Sequence, residues 1–200
     1  METKLFGRYS AKDVKLQDQG IARYLDLSTP TIPHSFGRQN KKGFEKSKIP
    51  AIERLINKLM KSGQGKRKLS GKYIRKRGGC GKKLMAMKAI DDAFKLIEKE
   101  KLNPLQVFAE AIENTAPRED TTRFKKGGVA QTQSVDVSPL KRIDESIKNI
   151  AVAAFQQSFK SKVTVSEALA KELMLAAKQN NQSFAVKRRD EVERIAQSSR

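Results

Sequence analysis

Apolar positions recur at helical spacing along most of the chain. From Pro50, which suits a first helical turn, Ile52, Leu55, Ile56, Leu59 and Met60 share one face, and Gly63 ends the run. Leu84, Ala86, Met87, Ile90, Ala93, Phe94 and Ile97 form a second stripe. Asn103 can cap a third helix and Pro104 can begin it, with Leu105, Phe108, Ala109 and Ile112 on its apolar face. Ser138-Pro139 opens a fourth by the same chemistry, and Leu140, Ile143, Ile147, Ile150, Ala151, Ala154 and Phe155 give it the longest stripe of all. Thr164 and Glu167 stand at capping-box spacing before Leu169, Ala170, Leu173, Ala176 and Ala177, small residues that suit close approach of a neighbouring helix. A last helix is expected over about Phe184 to Gln197, with Val192, Ile195 and Ala196 inward and Lys187, Arg188 and Arg189 outward.

Two segments lack the period. Residues 1–48 hold Leu5, Phe6, Tyr9, Val14, Leu16, Ile21, Tyr24 and Leu25, enough to lie on a surface, while Pro30, Pro33, Gly37 and Gly43 break any long element. An extended lead-in with one short helix, packed on whatever follows, is expected there. The stretch APREDTTRFKKGGVAQTQSVDVSP, from Ala116 to Pro139, reads as two strand-like arms around Lys-Lys-Gly-Gly, neither with a clear apolar face. The expected fold is therefore mainly α: a compact bundle of about six helices with a protruding two-stranded β-hairpin at 118–137 and an N-terminal extension at 1–48. The helical domain would span 49–200 and include a basic loop at 61–83.

Charge narrows the function. The 200 residues carry 42 Lys and Arg against 22 Asp and Glu, a formal net charge of +20, with 38% hydrophobic residues. Such a surplus repels itself in a compact state, and a polyanion is the simplest compensation, nucleic acid being the usual one. The lone cysteine, Cys80, excludes an intrachain disulfide framework and fits a reducing compartment. No apolar run is long enough for a transmembrane helix, so no membrane partner is expected, and METKLFGRYSAKD lacks the apolar core of a secretory signal.

Catalysis fails by subtraction. A zinc site needs clustered Cys and His, and the chain has only His34 and Cys80, far apart. A Ser–His or Cys–His pair would need His34 as base, and it lies in a segment broken by Pro and Gly; it reads better as a surface or RNA-contacting side chain. GGCGKK at Gly78–Lys83 resembles a phosphate loop only in part: Lys76 stands where the leading Gly belongs, and Lys83 where Ser or Thr belongs. Glu119-Asp120 are neighbours on a strand and so diverge, which suits partners for Arg118 and Arg123 better than paired acids. Met85 and Met87 read as core filler. No catalytic residue, metal site or cofactor is expected.

Binding chemistry is richer. Between Lys61 and Lys88 the chain carries Lys66, Arg67, Lys68, Lys72, Arg75, Lys76, Arg77, Lys82 and Lys83 and no acid, interspersed with Gly63, Gly65, Gly71, Gly78, Gly79 and Gly81. Little in this loop can be buried by folding alone; on phosphates it would order and release counterions, with Tyr73 available to stack on a base. A solvated loop or a localisation signal is the plainer alternative. In the hairpin, Arg123, Lys125 and Lys126 crowd a tip whose Gly127-Gly128 permits a tight turn. An isolated hairpin is marginal in water, so a finger held by an anionic partner is expected, a surface ornament being the alternative.

NTAPREDTTR, then GG, then SVDVSPLKR (Asn114–Arg142) resembles the signature of the universal small-subunit ribosomal protein seven family. Ile49–Gly63, Asn103–Thr115, Ser166–Asn180 and Ser183–Ala196 resemble its first, third and closing helices, and Lys4–Ser10 with Ser198-Ser199-Arg200 its archaeal and eukaryotic branch. The resemblance implies a helical protein with a protruding hairpin. It implies binding to the 3′ major (head) domain of small-subunit rRNA and a role in head assembly. It also implies a place beside exit-site tRNA and the mRNA exit path, among neighbouring head proteins. The candidate rRNA contacts are Arg38, Lys41, Lys42, Lys66, Arg67, Lys68, Lys72, Arg75, Lys76, Arg77, Lys82, Lys83 and Arg118, of which Arg118 alone is carried over from the family by position. Arg123, Lys125, Lys126, Gly127 and Gly128 would face tRNA or mRNA from the hairpin, and Arg188, Arg189 and Arg200 from the C-terminal end. The expected location is the cytoplasmic ribosome, with nucleolar assembly in a eukaryote.

The chain departs from the family pattern in three ways. Lys125 and Lys126 intrude on a tip that is usually glycine-rich, Gln131 and Thr132 stand where a pair of arginines is common, and the Gly65–Gly81 loop is longer than the usual first connection. That loop reads as an RNA-binding insertion whose deletion, over Lys66–Gly79, would lower subunit incorporation without loss of the helical fold. Two other classes stay open at the level of sequence: a free nucleic-acid chaperone or histone-like binder, and, with no constellation to support it, an enzyme acting on RNA.

Overall fold

A computed structural model describes residues 4–12, 14–38, 43–62, 68–69, 72–73 and 81–200, with backbone alone at 68–69, 72–73 and 126. Its helices are α1 (Gln19–Ala22), α2 (Ala51–Lys61), α3 (Lys83–Lys99), α4 (Pro104–Thr115), α5 (Pro139–Ser158), α6 (Val165–Ala177) and α7 (Phe184–Gln197), with a 3-10 turn at Glu45–Lys48. Strands β1 (Lys68–Leu69) and β2 (Lys72–Tyr73) form a short antiparallel ladder that the sequence pattern does not announce. The hairpin consists of β3 (Glu119–Lys126) and β4 (Val129–Asp136).

Helix starts follow their local chemistry. The Asn103 side chain accepts the Leu105 N–H at 3.1 Å, with Pro104 next in line. Thr164 Oγ1 accepts the Glu167 N–H at 3.3 Å, while Glu167 Oε2 accepts the Thr164 N–H at 3.1 Å, completing the capping box. Ser183 caps α7 through the Val186 N–H at 3.2 Å. Pro50 is the cap residue of α2 rather than part of its first turn.

The core forms around α6, which packs on α3, α4 and α5, while α2 packs on α3 and α5. Phe94, Phe108, Ile112, Ile147 and Leu173 are wholly buried, and Ala170 and Ala176 allow α6 its close neighbours. The N-terminal segment completes this core. Leu5, Tyr9, Ile21 and Leu25 are buried, and Tyr9 meets the edge of Phe94 at 5.7 Å between ring centroids. Burial, then the neighbouring Glu98 carboxylate that accepts its hydroxyl at 3.2 Å, pushes the Tyr9 phenol up to about 12. The Asp18 N–H donates to Glu113 Oε1 at 2.9 Å and the Asp18 carboxylate takes Arg142 at 2.8 Å, which straps the segment across α4 and α5.

Two acids are buried for structural reasons. Glu172 of α6 is fully buried and accepts Ser183 Oγ at 2.7 Å, the Ala185 N–H at 3.0 Å and Gln157 Nε2 at 3.2 Å. It thereby places a carboxylate at the N-terminus of α7, where the helix dipole favours it. Glu53 of α2, 2% exposed, collects the Ser35 N–H at 3.0 Å, Ser35 Oγ at 3.1 Å and Lys83 Nζ at 2.7 Å on one oxygen.

Several apolar expectations are corrected. Leu84 and Met85 are 80% and 64% exposed: the first turn of α3 packs through Lys83, which reaches Glu53 of α2, and through buried Ala86, leaving these two on its solvent side. Ile195 is exposed and Val192 only half-buried, while Ala196 is buried as expected; Ala185 and Val186 are also buried as α7 packs against α4, α5, α6 and the hairpin. Arg189 is not directed outward: its guanidinium donates to the Asn114 carbonyl oxygen.

Candidate nucleic-acid interface

The β3–β4 ladder pairs Glu119 with Asp136 at its base and Lys126 with Val129 at its tip. The Val137 N–H donates to the Arg118 carbonyl at 2.9 Å, so backbone pairing extends over 118–137. Gly127 and Gly128 close the tip at φ 59° and 84°, the left-handed pair that a two-residue turn demands. Alternation places Thr121, Arg123, Thr132 and Ser134 on one face and Thr122, Phe124, Gln131, Gln133 and Val135 on the other. Arg123, Phe124, Lys125, Val129, Ala130, Gln131 and Thr132 are all exposed, so the outer part of the finger is open to a partner on both faces.

The base is held, and α7 holds it. Glu193 Oε1 accepts the Arg118 N–H at 2.8 Å, the Ser199 carbonyl accepts the Ser134 N–H at 3.3 Å, and the Arg200 guanidinium pairs with Glu119. On the other side Lys141 of α5 reaches Asp120 at 2.7 Å. Partial burial opposes ionisation of Asp120, but the bond from Lys141 and the Thr121 N–H outweigh it and hold the carboxyl below the usual range. Glu119 and Asp120 thus anchor the hairpin base to the body, leaving the outer part cationic. A polar cleft of about 600 Å³ opens beside this base, lined by Asp18, Glu113, Asn114, Arg118, Arg189 and Glu193.

The other candidate residues separate by location. Arg38, Lys82 and Arg118 are exposed. Lys83 is only 17% exposed and holds Glu53, with His34 Nδ1 at 2.8 Å. Arg188 is half-exposed and pairs with Glu191, Arg189 bonds Asn114 and Asp190, and Arg200 lies along the hairpin base. Lys41, Lys42, Lys66, Arg67, Arg75, Lys76 and Arg77 lie outside the described residues, as does Cys80; at Lys68 and Lys72 only the backbone of the short ladder is described. Among the described residues no group of three or more His, Cys, Asp and Glu side chains is arranged to hold a metal, and no helix is long and apolar enough to cross a membrane.

Sequence reasoning missed the brace. Glu193 and Ser199 carry no signal in isolation, because a glutamate on a helix and a serine near a chain end both read as solvated. It also missed a turn at residues 34–36. There Phe36 is 73% exposed and its ring lies 4.2 Å from that of His34, centroid to centroid.

A family model described as ribosomal protein S7p/S5e matches residues 22–200. Two relatives from strains of Methanococcus maripaludis, both named small ribosomal subunit protein uS7, are 42% identical over 202 residues, covering all of this chain and all of their own. A relative of the same name from Methanothermobacter thermautotrophicus strain Delta H is 40% identical over 196 residues, 98% of each chain.

Proposed function

The chain belongs to the ribosomal protein S7p/S5e family, structural proteins of the small ribosomal subunit and not enzymes, and on that premise we propose that it clamps the head domain of small-subunit rRNA. In this reading it supports head assembly, and its hairpin and C-terminal end lie beside exit-site tRNA and the mRNA exit path, among other head proteins. It works in ribosomes of the cytoplasm, and a eukaryotic host would add a nucleolar assembly stage.

One observation carries the proposal. A hairpin whose outer part is exposed on both faces is anchored at its base by Glu193, Ser199 and Lys141, and presents Arg123 and Lys125 near a two-glycine tip. Such a finger has little to gain from its own protein, and a polyanion neutralises it. A-form RNA hides its base edges in a deep groove, so recognition rests on phosphates, 2′-hydroxyls and shape, which suits a rigid cationic projection. Replacing Arg123, Lys125 and Lys126 together by Ala is expected to leave the chain in small subunits on a sucrose gradient while weakening exit-site tRNA retention. Loss of the variant from small subunits altogether would show that the finger is an assembly anchor, contrary to this placement.

A further inference from the structure

The turn at residues 34–36 is built with more care than a surface loop needs. Glu53, buried in α2, takes the N–H and the hydroxyl of Ser35 together with Lys83 Nζ on a single oxygen. Lys83 also reaches His34 Nδ1 at 2.8 Å, so α2, α3 and the turn are tied at one point. What this anchor displays is Phe36, at φ 53°, in the left-handed region that disfavours a bulky side chain. The ring is 73% exposed, supported by the His34 imidazole at 4.2 Å and an interplanar angle of 33°. A buried charge and a strained backbone together fix an aromatic ring in solvent, and strain of that kind marks a site.

The surroundings identify the ligand. Ile32, Pro33, Leu84 and Met87 line a shallow apolar groove of about 240 Å³ next to the turn. Its neighbours are cationic: Arg38 lies 5.8 Å from the Phe36 centroid, Lys82 and Lys88 are exposed, and Lys83 belongs to the anchor. The one acid lining the groove, Asp91, is paired with Lys95 at 2.6 Å. An apolar platform ringed by cations fits a flat, aromatic ligand that carries negative charge.

We infer that Phe36 is a stacking platform for an unpaired nucleobase, with Arg38, Lys82 and Lys88 receiving the flanking phosphates. Successive bases of a single strand stack on such rings with little regard to sequence, and an arginine near the ring adds a cation–π contribution. The inference rests on the RNA-binding reading above. It adds that an unpaired segment is gripped at this corner, far along the chain from the hairpin. The apolar groove takes the sugar and the edge of the next base. A protein segment docking here would prefer any apolar side chain at position 36, whereas a base requires a ring.

Phe36 is exposed, so its variants are expected to fold, and the chain contains no tryptophan, which makes Phe36→Trp a unique reporter. Single-stranded oligoadenylate is expected to quench that fluorescence strongly, and duplex RNA at equal phosphate concentration to quench it little. By anisotropy of labelled oligoadenylate, Phe36→Ala and Phe36→Leu each lose about tenfold in affinity, while Phe36→Tyr stays within about twofold of wild type. Oligoadenylate that binds without quenching Phe36→Trp overturns the inference. So does a Phe36→Leu variant that binds as wild type, the result expected of an apolar protein seat. Failure of the wider reading looks different: the unaltered chain itself then ignores head-domain rRNA.

Discussion

Glu53→Gln isolates the anchor that joins the N-terminal segment to α2 and α3. Glu53 is 2% exposed and Lys83 is 17% exposed, so the pair is shielded from screening far better than a surface bridge. Removing one partner of a buried pair costs about 3–5 kcal/mol. Gln keeps the volume and an acceptor for Ser35, and Lys83 keeps His34 nearby, so the loss is placed lower, at about 2–3 kcal/mol. At roughly 2–4 °C per kcal/mol for a chain of this size, the melting temperature at neutral pH falls by about 4–12 °C. Thermal melts of Glu53→Gln, Lys83→Met and the double variant form the cycle. The double variant is expected to lose much less than the two singles combined, because each single strands the other partner. Acid provides an independent reading. Burial by itself disfavours the Glu53 carboxylate, but Lys83 and Ser35 outweigh it and hold its folded value below the ordinary one of about 4.5. Its contribution is therefore complete above that ordinary value and is lost as pH falls through the lower folded value. Wild type should lose stability over that window more steeply than Glu53→Gln. A Glu53→Gln melt within about 1 °C of wild type, with an additive cycle, would refute the role given to this carboxylate.

Removal of Ser199 and Arg200 deletes the carbonyl bonded to Ser134 and the partner of Glu119; hairpin amides should then exchange with solvent roughly tenfold faster, while α6 amides keep their protection, as hydrogen exchange read by mass spectrometry can show. Glu172→Ala strands Ser183 Oγ and the Ala185 N–H in a fully buried site at the start of α7, and should cost about 3 kcal/mol in denaturant midpoint analysis, against about 1 kcal/mol for the exposed cap change Thr164→Ala.

The elements that the sequence made legible are those whose signals are local. Asn103-Pro104, Thr164 with Glu167, and Ser183 each begin a helix by bonds within a few residues, so the pattern alone locates them. The hairpin is legible for the same reason, through its glycine pair. Periodicity identifies which side chains share a face, but not whether a neighbour reaches that face along its whole length. Hence Leu84 and Met85 in the first turn of α3, and Ile195 near the end of α7, were expected inside and stand outside. The N-terminal segment packs as expected but more deeply than its weak pattern indicates: Leu5, Tyr9, Ile21 and Leu25 occur only as isolated i, i+4 pairs, yet each fills a gap in a core made by helices far along the chain. Charged residues were the hardest to interpret. Glu53 and Glu172 sit on helices as any solvated glutamate would, and only the donors brought from Ser35, Lys83, Gln157 and Ser183 show why they are buried.

On the proposed function, the cationic surplus is matched to one folded RNA and not to polyanions at large. The most direct test of that match is a binding titration of the purified chain at several salt concentrations, against a head-domain fragment of small-subunit rRNA, an unrelated structured RNA and duplex DNA of equal length. All three are expected to bind at low salt, and a preference of at least about a hundredfold for the head-domain fragment is expected to persist near physiological salt. Equal affinities that fall together as salt rises would contradict it.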